Sequence, residues 1–169
     1  WDGRTLGVWS AELDGAFAVI NLAGVTVDCR YTEANRRRIL ESRLEPTRAI
    51  GQVIAGCSNP PRVWLNSSTA TIYRHNFGPA WDERGEIGGC AEAKDEFSVH
   101  VATEWERELD AAPTPRTRTV ALRAAMVLGN GRNSVLPTLL RLARLGLGGP
   151  LAGGRQYVSW IHEEDFARA

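Results

Sequence analysis

The chain has little lysine: of its twenty basic residues only Lys94 carries an ammonium group, so any mechanism that needs one has a single candidate. Its three cysteines, Cys29, Cys57 and Cys90, are odd in number, widely spaced and without a Cys-x-x-Cys pair or a neighbouring histidine pattern. That argues against a disulfide framework and against a zinc site, and for reduced thiols in a cytoplasmic protein; no metal is expected. No apolar run approaches the length needed to cross a bilayer, and no signal peptide is visible, so no membrane partner is expected. An excess of one charge is missing as well. Twenty acidic residues balance the twenty basic ones, so no global field recruits nucleic acid or an anionic membrane. Neither glycine run, 146–149 or 153–154, sits between a strand and a helix start at the spacing of a phosphate-cradling loop. There is no internal repeat.

At 169 residues and 43% hydrophobic, the chain has enough apolar material for one core and reads as one domain. It is organised around residues 63–73, VWLNSSTATIY. An apolar run that stops at hydroxyl residues reads as a buried parallel strand delivering side chains to a crevice at its C-terminal end, where open α/β sheets bind ligands. Ser67, Ser68, Thr69, Thr71 and Tyr73 suit a polyol or a carbonyl oxygen; an ordinary Ser/Thr turn is the alternative. Residues 16–22, AFAVINL, form a second strand that ends at Ala23-Gly24. Thr32 reads as the N-cap of a helix with Ile39, Leu40 and Leu44 on one face, which Pro46 kinks or restarts before an end near Gly56. Arg36-Arg37-Arg38 reads as a solvated face, since three consecutive residues point in different directions. Residues 74–96 form a long loop, of the kind used as a substrate lid. Residues 97–112 form an amphipathic helix through Val99, Ala102, Trp105 and Leu109. Strands follow at 117–124 and 156–161, with a helix start at Glu163. Arg123 is costly to bury unpaired and is expected to meet a carboxylate or the ligand. This alternation of strand and helix argues for a parallel sheet with helices on both faces.

Several segments carry a family resemblance. Residues 67–73, SSTATIY, resemble the SSSATVYG segment of the extended short-chain dehydrogenase/reductases, the nucleotide-sugar epimerases and dehydratases. Asn21 to Gly24 resembles the NLAG end of that family's fourth strand, and Ser42-Arg43 with Thr47 its following helix. Residues 122–129, LRAAMVLG, and 144–162, RLGLGGPLAGGRQYVSWIH, extend the likeness to the subgroup of epimerase-family proteins. The resemblance implies an α/β, Rossmann-like, doubly wound parallel sheet, of which 1–169 is the central part. The first βαβ unit is expected upstream of Trp1, and the rest of the substrate part beyond Ala169. Such a sheet would expose an apolar face and an edge, so self-association or partner binding is expected.

The resemblance also implies NADP or NAD as cofactor and a small-molecule nucleotide sugar as substrate, with a homodimer left open. By its alignment Asn21, Leu22, Ala23 and Gly24 lie against the cofactor's ribose and diphosphate. Arg43, Ser67, Ser68 and Arg123 join them as cofactor-binding residues. Thr69 matches the catalytic hydroxyl residue, with Tyr73 as a second catalytic candidate, and Arg155, Gln156 and His162 fall on the substrate side. One departure bears on chemistry. The family's Tyr-x-x-x-Lys pair, a proton relay and the lysine that activates it, is absent, and Phe97 and Val101 stand at those positions. His75 and His100 are substitutes to weigh against a solvated or packed histidine. Two functions therefore stay open: an NAD(P)-dependent epimerase or oxidoreductase, and a catalytically inert cofactor-binding module.

Overall fold

The computed structural model describes residues 1–91, 93–131, 134–150, 153–154 and 157–169. Three parallel strands form the main sheet in the order β1 (Ala18–Asn21), β2 (Val63–Thr69) and β3 (Arg118–Ala124). Ala18 lies opposite Val63 and Asn21 opposite Asn66; on the other side Val63 pairs with Arg118 and Thr69 with Ala124. β2 and β3 therefore end together, β1 stops three residues earlier, and the polar residues gather at this C-terminal end of the sheet. The crossovers are α1 (Glu33–Gly56) and α2 (Glu96–Asp110), which pack on each other. A two-stranded parallel sheet of β4 (Met126–Leu128) and β5 (Trp160–His162) follows, with α3 (Leu136–Arg144) between its strands and α4 (Glu163–Arg168) at the end.

Side-chain alternation decides what each sheet face meets. Trp64, Asn66 and Ser68 of β2 point to the helices and are buried. Trp64 is fully buried among Ile50, Ile54 and Leu109, with Val19 and Ala121 from the flanking strands closing the cluster. The opposite face carries Ile20, 61% exposed, beside Leu65. Both crossover helices thus lie on one face of this sheet.

Helix α1 begins as its sequence implies: the Thr32 side chain accepts from the Asn35 amide, and Glu33 occupies the first turn. It does not break at Pro46. The helix runs 24 residues through the proline, which is buried. The ring packs where a Cβ on Gly3 would come within 3.1 Å of Pro46 Cγ. One lost backbone bond is offset by that burial and by the next residue, whose Thr47 hydroxyl donates back to the Arg43 carbonyl at 2.8 Å. Strand β5 also differs from expectation: it starts at Trp160, with 157–159 outside any strand. Helix α3, unforeseen in the sequence, has its proline in the first turn and Arg141 and Arg144 in the last. Among the described residues no helix is long and apolar enough to cross a membrane.

Candidate functional site

Two polar networks shape the C-terminal end of the sheet. In the first, Asn21 of β1 and Asn66 of β2 lie side by side and both are buried. Asn21 Nδ2 donates to Asn66 Oδ1 at 2.7 Å and to Thr47 Oγ1 at 3.3 Å, while Trp105 Nε1 of α2 donates to the same threonine at 3.0 Å. Asn21 Oδ1 accepts from the Ala23 amide at 3.1 Å, so the network fixes where the chain turns after β1. Asn21 thus acts on the loop rather than lining a crevice.

That loop, Leu22 to Gly24, forms one wall of a crevice of about 340 Å³. Arg43 of α1 lines its floor; Ser67, Ser68 and Thr69 come from β2, and Phe97, Val101 and Trp105 from α2. The volume lies at the small end of ligand-pocket sizes. Arg43 donates to the Ile39 carbonyl at 2.8 Å, the Val25 carbonyl at 3.3 Å and Ser42 Oγ at 3.2 Å, and sits 5.4 Å from the Trp105 ring centre. All these acceptors are neutral, and among the described residues no carboxylate pairs with it. Burial pushes its guanidinium below the ordinary value. Gly24 allows the backbone to lie over it, since a Cβ there would come 3.4 Å from Arg43 Cζ. The hydroxyls of Thr69 and Thr71 are 3.0 Å apart, and Thr69 Oγ1 also accepts the Thr71 amide.

The second network anchors Arg123. Its Nε and Nη2 donate to the two oxygens of Glu106 at 2.9 and 2.7 Å, and Ser68 Oγ donates to the same carboxylate at 2.5 Å. Burial pushes the Glu106 carboxyl up, but the hydrogen bonds from Arg123 and Ser68 and the charge of Arg123 outweigh it, leaving it below the ordinary value. The hydrogen bond to Glu106 raises Arg123 in turn. Arg123 Nη1 donates to Tyr73 Oη at 2.9 Å and to the Glu83 carbonyl at 3.2 Å, tying the 74–96 loop to the sheet. The carboxylate foreseen as one possible partner of Arg123 is Glu106.

Beyond Arg123 opens a larger crevice of about 1200 Å³, lined by Tyr73, the 74–82 loop, Ser98 and Tyr157. The loop is folded back: Arg74 and Gly88 amides donate to the Glu86 and Ile72 carbonyls, and Trp81 Nε1 donates to the Arg74 carbonyl. His75 lines this crevice against Phe77, whereas His100 is exposed on α2. The structure thus gathers Leu22, Ala23, Gly24, Arg43, Ser67, Ser68 and Thr69 around the smaller crevice and sets Tyr73 and Arg123 in the larger one; Thr71 and Ser98 line both. His162 lines neither: its Nδ1 accepts the Glu164 amide at the start of α4. Arg155 and Gln156 lie outside the described residues. Sequence reasoning missed Asn66, Glu106 and Trp105 as members of these networks.

Comparison with known proteins accords with this layout. Scanned against protein-family models, the chain matches none. It is 32% identical over 170 residues to the epimerase family protein SDR39U1 of Bos taurus, covering 99% of this chain and 54% of that protein. The crystal structure of human epimerase family protein SDR39U1 (isoform 2) with NADPH superposes with a TM-score of 0.79 at 31% identity, over 90% of this chain and 50% of that one. The chain is homologous to the epimerase family proteins. The nucleoside-diphosphate sugar epimerase of Corynebacterium glutamicum superposes at 0.76 and 28% identity, over 98% of this chain and 32% of that one. The fold is Rossmann-like, as in these epimerase-family structures, and the chain spans about half the length of the curated relatives it matches.

Proposed function

We propose that the chain is the central part of an NAD(P)-dependent enzyme of epimerase or oxidoreductase type, acting on a nucleotide-sugar-like substrate. One observation carries the reading. A half-buried guanidinium, Arg43, without a carboxylate partner among the described residues, shares a crevice with the small Ala23-Gly24 backbone and the Thr69 hydroxyl. Such a donor set fits the sugar and phosphate of a dinucleotide better than an apolar ligand. Arg43 would bind an anionic or hydroxylic group of the cofactor; Leu22, Ala23 and Gly24 would let it approach the backbone; Ser67 would border its ribose, with Ser68, whose hydroxyl donates to Glu106, behind it. The nicotinamide, when bound, supplies or accepts hydride. Thr69 holds the substrate oxygen by hydrogen bond. Tyr73, fixed by Arg123, faces the larger crevice, where we place the nucleotide end of the substrate, its sugar reaching past Thr71 and Ser98 to Thr69; Arg155, Gln156 and His162 remain substrate-side candidates. The human relative crystallised with NADPH and the nucleoside-diphosphate sugar epimerase of Corynebacterium glutamicum support both ligand classes. Three free thiols are in keeping with a cytoplasmic location.

A second reading, an inert cofactor-binding module, is favoured by Phe97 and Val101, which line the smaller crevice where a phenol and an ammonium would serve chemistry. Fluorescence titration with NADPH and NADH, followed by a screen of sugar nucleotides for hydride transfer, separates the two. Thr69→Val should lower turnover by about two to three powers of ten, as for loss of an oxyanion donor. An inert module binds cofactor and turns over none of the sugars.

A further inference from the structure

Oxidation of an alcohol by hydride transfer releases the hydroxyl proton, and a positioned base must take it. Around the smaller crevice the choice is narrow. Among its described lining residues there is no histidine, carboxylate or lysine, and Phe97 cannot carry a proton. The lining contains two ionisable side chains, Arg43 and Tyr31. Arg43 stays protonated throughout the useful range, which leaves the phenol.

We infer that Tyr31, from the segment before α1, is the catalytic acid–base group of this crevice. The inference rests on the cofactor reading above. Tyr31 stands edge-on to Phe97, with ring centres 5.4 Å apart, so a phenol from another element reaches the neighbourhood of the very side chain that lacks one. The Arg36 guanidinium lies 4.8 Å from the Phe97 ring centre and 5.9 Å from that of Tyr31, and Arg36 Nε donates to the Tyr31 carbonyl at 3.3 Å. These contacts hold the ring at the crevice. Arg43 and Tyr31 line the same crevice. In the step itself, the carbinol C–H leaves as hydride to the nicotinamide, its O–H proton passes to Tyr31 Oη, and the carbinol becomes a carbonyl. Thr69 Oγ1 keeps hold of the substrate oxygen. The reverse step returns both.

The test uses the chain with any native sequence that flanks it. Tetranitromethane nitrates tyrosine phenolates, and peptide mass spectrometry reads Tyr31, Tyr73 and Tyr157 separately. Saturating NADPH should slow nitration of Tyr31 by about ten-fold, as for a group covered by a bound ligand, and leave the 71% exposed Tyr157 unchanged. Tyr31→Phe should keep NADPH affinity and lose about 10²- to 10⁴-fold in sugar-nucleotide turnover. Bound NADPH with Tyr31 nitrated at its free rate, or a Tyr31→Phe protein that turns over normally or fails by losing NADPH affinity, overturns this inference alone. A folded wild-type protein that binds no NADPH overturns the cofactor reading and the inference with it.

Discussion

Replacing Glu106 by Gln tests whether the second network holds the site together. The carboxylate accepts three hydrogen bonds, two from Arg123 and one from Ser68, and the side chains of Glu106 and Arg123 are 13% and 21% exposed. Glutamine keeps the size but turns one acceptor into a donor, which then faces Arg123 or Ser68. Breaking one partner of a fully buried ion pair costs about 3–5 kcal/mol. Residual exposure here reduces that to about 2–3 kcal/mol, within the usual range for hydrogen bonds to charged groups. With a urea slope of about 2 kcal/mol/M the unfolding midpoint should fall by about 1–1.5 M. The cycle with Arg123→Met should show a coupling of about 1–3 kcal/mol, because the second substitution removes a contact already lost. Single variants each within about 0.5 kcal/mol of wild type would refute the reasoning.

The same pair sets a pH dependence. The folded Glu106 carboxyl lies below its ordinary value, so its contribution is present above about pH 4.5 and is lost as pH falls through the lower folded value. Arg123 is raised, so its share stays intact across the accessible range; acid unfolding should therefore be shallower in Glu106→Gln than in wild type. Asn66→Leu removes the shorter of the two acceptors of Asn21 Nδ2, leaving it the 3.3 Å bond to Thr47, and should cost about 1–3 kcal/mol by urea unfolding. Gly85→Ala places a Cβ 2.7 Å from Trp81 Cβ and 2.9 Å from Tyr73 Cδ1. It should cost about 1–3 kcal/mol and raise KM for the sugar nucleotide while NADPH affinity stays unchanged, because the clash lies on the larger crevice.

The three strands of the main sheet and α2 were legible because their apolar periods are unbroken, whereas β4 is only three residues long and carried no such period. Of the two outcomes expected at Pro46, a kink or a restart, the restart does not occur, because the proline's local cost is offset by its burial against Gly3, a tertiary effect. Helix α3 was passed over although LPTLLRLAR has a first-turn proline and leucines at helical spacing; the glycine-rich run after it drew the reading toward loop. The site residues taken from the family likeness gather at one crevice for Leu22 to Gly24, Arg43 and Ser67 to Thr69. Glu106 carried no signal, because its partners Ser68 and Arg123 are 38 and 17 residues away in sequence. Tyr31 was equally silent: its value comes from Phe97, which only the packing of α1 on α2 brings near it.

The central claim, that the Arg43 crevice holds a nicotinamide cofactor, is tested most directly by titrating NADPH into wild type and Arg43→Met. The account predicts saturable binding to wild type and a loss of about ten- to a hundred-fold in affinity for the variant, the worth of one charge-assisted contact. Equal affinity in the two proteins, or no binding to a folded wild type, would contradict it.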